Sequence, residues 1–310
     1  MTLFNSSRES NNDFVFHDEK RKISLFLKRE DLLHPQVSGN KFRKLKYNIK
    51  CASEDGHNKL LTYGGAYSNH IAATARAGQI EDFKTVGIIR GEELGADLNR
   101  TFKENQTLRF AKQCGMKLHF ISRESYREKS GSIFKKSMIE KFGSFYEIPE
   151  GGTNALAVKG CKEILTEQDK KFDFVCAAVG TGGTIAGLIE SSYDSQKILG
   201  FPALKGDFLN TEINKYTNRD NWNLITDYHF GGYGKVNSEL VQFINDFKMK
   251  YTIQLDPIYT GKMLFGICDL IERGYFSENT RILAVHTGGL QGIIGINKRL
   301  AKKGLPIIKL

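Results

Sequence analysis

A chain of 310 residues, 40% apolar and 26% charged, can bury a sizeable core and lies far from disordered composition. Its longest apolar runs, such as 174–179, are too short to cross a bilayer, and the polar start MTLFNSSRESNNDF reads as a loose arm, not a secretory signal. Five scattered cysteines without a C-x-x-C pair argue against a disulfide framework or a metal site and for a reducing cytoplasm, and a net charge of +10 without aromatic-interleaved basic segments argues against a nucleic-acid surface.

In chain order, Ile23–Lys28 (ISLFLK) reads as a strand. A helix follows, with Phe42, Leu45, Ile49 and Ala52 at three- and four-residue spacing and Gly56 as its stop. Strands at 60–63, 85–90, 117–121 and 145–148 alternate with helices near 69–77, 98–114 and 133–142. After EGGTN (150–154) come a helix at 155–166, a strand at 173–179, a helix at 184–191 and a strand at 196–200. Helices at 236–248 and 260–273, a strand at 281–286 and a helix at 289–302 complete the pattern. Strands separated by single helices build mostly parallel sheets, so the fold class is α/β. Glycine clusters at 38–40 and 151–153 mark the seams. They divide the chain into a larger lobe (1–45 plus 152–310) and a smaller inserted lobe (46–151).

Parallel sheets bind ligands at the C-terminal ends of their strands. Four glycine- or hydroxyl-rich turns fall there: SGNKFRK (38–44), GGAYSNH (64–70), GTGGT (180–184) and HTGG (286–289). The third follows FDFVCAAV and opens the apolar helix TIAGLIE, so its N–H groups form an anion cradle suited to phosphate. A dinucleotide fingerprint is excluded, because Ile185 stands where the third glycine is required. GGYGKV at 231–236 lacks the hydroxyl that a nucleotide-binding lysine loop needs. Such a turn alone can serve geometry only. Lys41 changes that reading. It opens a helix whose positive end disfavours a protonated amine, beside the cations Arg43, Lys44 and Lys46. Buried there it becomes an imine-forming amine; exposed, it is one solvated lysine among many. An imine-forming lysine plus a separate phosphate cradle is the pairing that pyridoxal phosphate requires.

Taken in order, LKRED (27–31), SGNKFRK, GGAYSNH, EGGTN, VGTGGT, GGYG (231–234), DPIYTGK (256–262) and HTGG resemble the fold-type-II pyridoxal-phosphate enzymes. Within that group they are similar to the 1-aminocyclopropane-1-carboxylate deaminase/D-cysteine desulfhydrase family, over roughly residues 23–292. The resemblance implies a two-lobed, three-layer αβα fold of the tryptophan synthase β kind, no metal, and a cytoplasmic homodimer. It implies that Lys41 is the Schiff-base lysine and proton-transfer base, and that Asn69 bonds the cofactor's phenolic oxygen. Lys44 and the turn Gly180, Thr181, Gly182, Gly183 and Thr184 would hold the phosphate. Ser68 matches a hydroxyl beside the substrate, and Tyr233 and Tyr259 match two tyrosines facing it; either ring alone would read as core.

Thr260 and Thr287 occupy positions where the deaminase branch has Glu and Leu, and resemble the D-cysteine desulfhydrases. A carboxylate near the pyridine nitrogen would keep it protonated, a strong electron sink for opening a cyclopropane; a hydroxyl suffices when a good leaving group departs from Cβ. The expected reaction is therefore α,β-elimination from a small amino acid, with D-cysteine giving pyruvate, ammonia and sulfide. Lys41, or Ser68 assisted by a tyrosine, removes the Cα proton. The alternatives are 1-aminocyclopropane-1-carboxylate deamination to α-ketobutyrate, an inactive small-molecule-binding homologue, and a basic nucleic-acid-binding module. Tyr67 replaces a common glutamine before SNH, and Ile71–Ala72 replace polar residues after it, which reshapes the expected substrate pocket.

Overall fold

In the computed structural model, which describes residues 3–4 and 9–310, the strands of the described residues form two sheets. The larger runs in the order β1 (Asn12–Asp18), β2 (Ile23–Lys28), β10 (Arg281–Val285), β7 (Phe174–Val179), β8 (Lys197–Pro202), β9 (Trp222–Leu224). The smaller runs β5 (Lys117–Ile121), β4 (Lys84–Arg90), β3 (Lys59–Gly65), β6 (Tyr146–Ile148). Only the β1–β2 pair is antiparallel; every other pairing is parallel.

The strand sequences explain the layers. Successive side chains point to opposite faces, and β7 and β10 are apolar at nearly every position, so both faces must be covered. Cys176, Ala178, Ile282 and Ala284 join one core with the helices Ser238–Tyr251, Thr260–Glu272 and Gly292–Ala301. Val175, Ala177, Leu283 and Val285 join the opposite core with the helix Gly183–Ser191. That is the three-layer αβα arrangement. The smaller sheet is sandwiched likewise: Leu60 packs with the helices Asn40–Glu54 and Asn69–Ile80, and Leu61 and Val86 pack with Met138 and Phe142.

Buried ion pairs fix the elements next to the cleft. Arg43 donates to both oxygens of Glu30 at 2.9 Å each, and Lys28 bonds Asp169 at 2.7 Å, all four side chains out of water. The fork matches the carboxylate and so sets the rotation of the helix Asn40–Glu54.

Four local expectations need correction. The segment 98–114 is two helices, Leu98–Glu104 and Gln106–Gln113, because Asn105 turns extended and its Oδ1 accepts from Leu108 N–H at 3.0 Å. The helix begun at Ala155 stops at Cys161 instead of continuing to 166. Strand β9 and the helix Phe208–Asn214 fall between 200 and 236, where no element was expected. The expected loose arm lies partly outside the described residues, at 1–2 and 5–8, but Leu3 is buried, Phe4 stacks 5.1 Å from Phe42, and 12–18 is strand β1.

Candidate active site

The C-terminal ends of β3, β7 and β10 open on one cleft of about 700 Å³, within the range of small-molecule sites. Lys41, Lys44, Ser68, Asn69, Gly180, Thr181, Gly182, Thr184, Tyr233, Tyr259 and Thr287 all line it. Gly183 stands just behind, its β position 2.8 Å from Thr153 and 3.3 Å from Lys44 Nζ. Thr260 is not among the residues lining the cleft: it is fully buried, and its hydroxyl donates to Asp256 Oδ2 at 2.6 Å.

Loop contacts position the lysines. Gly39, at φ 64 and ψ −145, caps the helix Asn40–Glu54, and a Cβ there would lie 1.9 Å from Thr287 O. Only glycine lets SGNK and HTGG meet so closely. At the start of that helix, Lys41 Nζ donates to Gly151 O at 3.3 Å, and Lys44 Nζ, one turn on, donates to the same oxygen at 3.2 Å and to Thr153 Oγ1 at 2.9 Å. No carboxylate acts on either amine. Burial and, next, the Lys44 charge hold Lys41 well below the ordinary amine value, and burial lowers Lys44 as well. Lys41 is half-buried and lines the cleft, and a lowered amine there favours a neutral nucleophile.

Facing the lysines is the glycine turn. Gly182 is left-handed at φ 83 and caps the helix Gly183–Ser191, so the first N–H groups of that helix are exposed at the end of β7. Asn40 Nδ2 bonds Thr184 Oγ1 at 2.9 Å, and the Thr153 and Thr181 hydroxyls are 2.5 Å apart. Gly151 joins the two halves: its carbonyl takes both amines, and its β position is 3.1 Å from the Thr181 side chain. An amine-reactive point and an anion cradle thus lie on either side of one residue, as an aldehyde and a phosphate arm on adjacent ring carbons require. Two buried amines without acidic partners call for an anion. The residues fit pyridoxal phosphate.

The substrate side is polar. Ser68 caps the helix Asn69–Ile80, accepting from Ile71 N–H at 3.3 Å, which leaves helix N–H dipoles aimed at the cleft. Tyr233 and Tyr259 meet edge to face, centroids 6.2 Å apart. Burial pushes both phenols up, Tyr259 well above its ordinary value, so each is a proton donor at neutral pH.

Asp256, His70 and Arg90 are among the lining residues that the sequence reading did not single out. Asp256 accepts from the N–H groups of Ile258, Tyr259 and Thr260 at 2.8, 2.9 and 2.8 Å, fixing the backbone that carries Tyr259. The Asp-Pro start of DPIYT was the available sign of such a turn. His70 is buried behind the lysines. Arg90 ends β4 at the mouth of the cleft, where no local pattern marked it. Tyr67 packs against the helix Gly292–Ala301, 2.7 Å from the β position of Gly295, and closes the cleft beside the small sheet.

A family model described as pyridoxal-phosphate dependent enzyme matches residues 14–288. A putative 1-aminocyclopropane-1-carboxylate deaminase of Thermotoga maritima is 30% identical over 306 residues, covering 91% of this chain and 94% of the relative. The mitochondrial bifunctional D-cysteine desulfhydrase/1-aminocyclopropane-1-carboxylate deaminase of Arabidopsis thaliana is 30% identical over 294 residues, covering 87% of this chain and 73% of the relative. Among solved structures, an ACC deaminase homologue aligns with a TM-score of 0.80 at 26% identity, covering 97% of this chain and 95% of the other. The O-acetylserine dependent cystathionine beta-synthase from Helicobacter pylori shares the fold at a TM-score of 0.68 and 15% identity, covering 94% and 97%.

Proposed function

The chain belongs to the pyridoxal-phosphate dependent enzymes, and within them to the 1-aminocyclopropane-1-carboxylate deaminase/D-cysteine desulfhydrase family; from that premise we propose that it deaminates a small amino acid by α,β-elimination, taking D-cysteine to pyruvate, ammonia and sulfide. The observation that carries this reading is the convergence of the Lys41 and Lys44 amines on one carbonyl oxygen, without acidic partners, beside the glycine turn.

When bound, the cofactor supplies a conjugated electron sink that acidifies the substrate's Cα–H. The other steps fall to the chain. Lys41 would hold the cofactor covalently, and its amine, when free, would accept the Cα proton. Lys44 and the amides of 180–184 would hold the phosphate, and Asn69 would bond the phenolic oxygen. Ser68 and the N-terminus of its helix orient the substrate carboxylate. Tyr259, with Tyr233 against it, delivers a proton to the departing Cβ substituent. Thr287 presents a neutral hydroxyl from the HTGG wall, in keeping with a leaving-group elimination. Asp256 and Thr260 act at one remove, by fixing Tyr259. The reading places the cleft between a lobe of 1–45 plus 152–310 and a lobe of 46–151, in a homodimer. A cytoplasmic location accords with five unpaired cysteines.

Purified protein given D-cysteine should release sulfide and pyruvate in equal amounts, and Lys41→Ala should abolish both. No turnover of D-cysteine, L-cysteine or other β-substituted amino acids would overturn the assignment. The names of the relatives favour a second reading, ring opening of 1-aminocyclopropane-1-carboxylate. Release of α-ketobutyrate from that compound, without sulfide from D-cysteine, would select it.

A further inference from the structure

His70, 2% exposed, lines the cleft beside the two lysines and has no part in the steps proposed for the chain. Its hydrogen bonds determine its tautomer. Thr62 Oγ1 donates its single hydrogen to Ile148 O at 2.8 Å, and a carbonyl can only accept. The contact of 2.7 Å between Thr62 Oγ1 and His70 Nε2 must therefore be donated by Nε2–H. In the neutral ring that leaves Nδ1 as a bare lone pair. Burial, before any neighbouring charge, keeps the ring neutral. Nδ1 is out of reach of water and has no partner among the described residues.

An orphaned acceptor of this kind requires a donor. Two buried amines act on it. Lys41 and Lys44, both from the helix Asn40–Glu54, are the titratable groups that act on the ring, and no carboxylate does. Gly152 lies over the ring, its β position 3.3 Å from Nδ1 and 3.7 Å from Lys44 Cβ, next to the Gly151 carbonyl that both amines share. Lys44 already has a second acceptor in Thr153 Oγ1, whereas among the described residues Lys41 has Gly151 O alone.

A neutral primary amine carries two hydrogens and one lone pair. If both hydrogens are taken by the wall, the lone pair faces the cleft. We propose that His70 is a positioning residue whose Nδ1 receives one N–H of Lys41 when that amine is set free during turnover, Gly151 O taking the other, so that the amine's lone pair points at the substrate's Cα proton. The inference rests on Lys41 being the cofactor lysine. It deepens that reading by saying what makes the released amine a base instead of a mobile ammonium. A phosphate ligand is a poor match for His70, because a lone pair repels an anion.

The test separates proton transfer from elimination. D-alanine has no leaving group, so loss of its Cα signal in D2O, followed by proton NMR, reads the transfer alone. The holoenzyme should exchange it in a Lys41-dependent way, His70→Leu should slow exchange roughly two- to tenfold, the worth of one net hydrogen bond, and His70→Asn, whose Oδ1 stands at the same remove from the backbone, should restore much of the rate. The cofactor's visible band should persist in both variants. In the cofactor-free protein, nitrogen-15 NMR should show Nε2 protonated and Nδ1 bare. A protonated Nδ1, wild-type exchange in His70→Leu, or loss of cofactor from His70→Leu without rescue by His70→Asn would overturn the proposal. Exchange that survives Lys41→Ala, or no exchange of either alanine enantiomer by the wild type, would instead sink the assignment of Lys41 and this inference with it.

Discussion

Gly39→Ala perturbs the site without touching a chemical group. At φ 64 and ψ −145 a side chain is strained, at a cost of about 1–3 kcal/mol. The new Cβ would also stand 1.9 Å from Thr287 O, 2.3 Å from Thr287 C and 2.8 Å from Gly288 N. These are backbone atoms of the HTGG turn and cannot rotate aside, so overpacking adds about 1–3 kcal/mol. The turn and the start of the Lys41 helix must separate. Gly56→Ala supplies a comparison, since Gly56 also has a positive φ, 72, but nothing within 4 Å of its β position. Urea unfolding should show a larger loss for Gly39→Ala than for Gly56→Ala, and the total loss for Gly39→Ala should lower Tm by roughly 5–15 °C. Gly39→Ala should also weaken cofactor retention, because Lys41 moves with its helix; Gly56→Ala should not. Equal stability of the two variants, with equal cofactor content, would refute the close approach on which the geometry of the lysine depends.

Other outcomes follow from the same geometry. Lys44→Met removes the cationic donor facing the glycine turn and should weaken cofactor retention about ten- to hundredfold, measured by cofactor release on dialysis. Thr260→Val breaks a buried hydrogen bond to Asp256, and urea unfolding should show a loss of about 1–3 kcal/mol while the cofactor's absorption maximum stays in place; a shifted maximum would return Thr260 to the ring. Lys262 donates to His229 O and Gly232 O ahead of Tyr233, and burial lowers its amine to about 8. Between that value and the ordinary 10.5 the unfolded chain holds a proton that the folded chain has lost, so stability rises with pH through this window. The stability of cofactor-free wild type relative to Lys262→Met should therefore increase from pH 8 upward; a constant or falling difference would contradict the assignment.

The parallel strands were readable because their central members are buried on both faces and written as unbroken apolar runs, FVCAAV and RILAV among them. The glycine turns and Lys41 were readable because their chemistry is local. Asn105 was not: apolar spacing runs on through it, and the break depends on its amide, which caps Leu108 and also donates to Ala66 O at 3.0 Å. Strand β1 was hidden by its polar composition, NDFVFHD, of which only Val15 is fully buried, and it exists because β2 offers an open edge. Thr260 sits one residue from Tyr259, yet the helix start turns its hydroxyl back onto Asp256. His70 gains its meaning only once folding brings Thr62, Ile148 and Gly152 around its ring.

Borohydride reduction of the purified holoenzyme, followed by peptide mass mapping, tests the central claim most directly. The reduced cofactor should remain on the peptide containing Lys41, attached to that residue and not to Lys44, and the visible band should vanish on reduction. Attachment elsewhere, or no attachment at all in a protein purified with the cofactor supplied, would contradict the account.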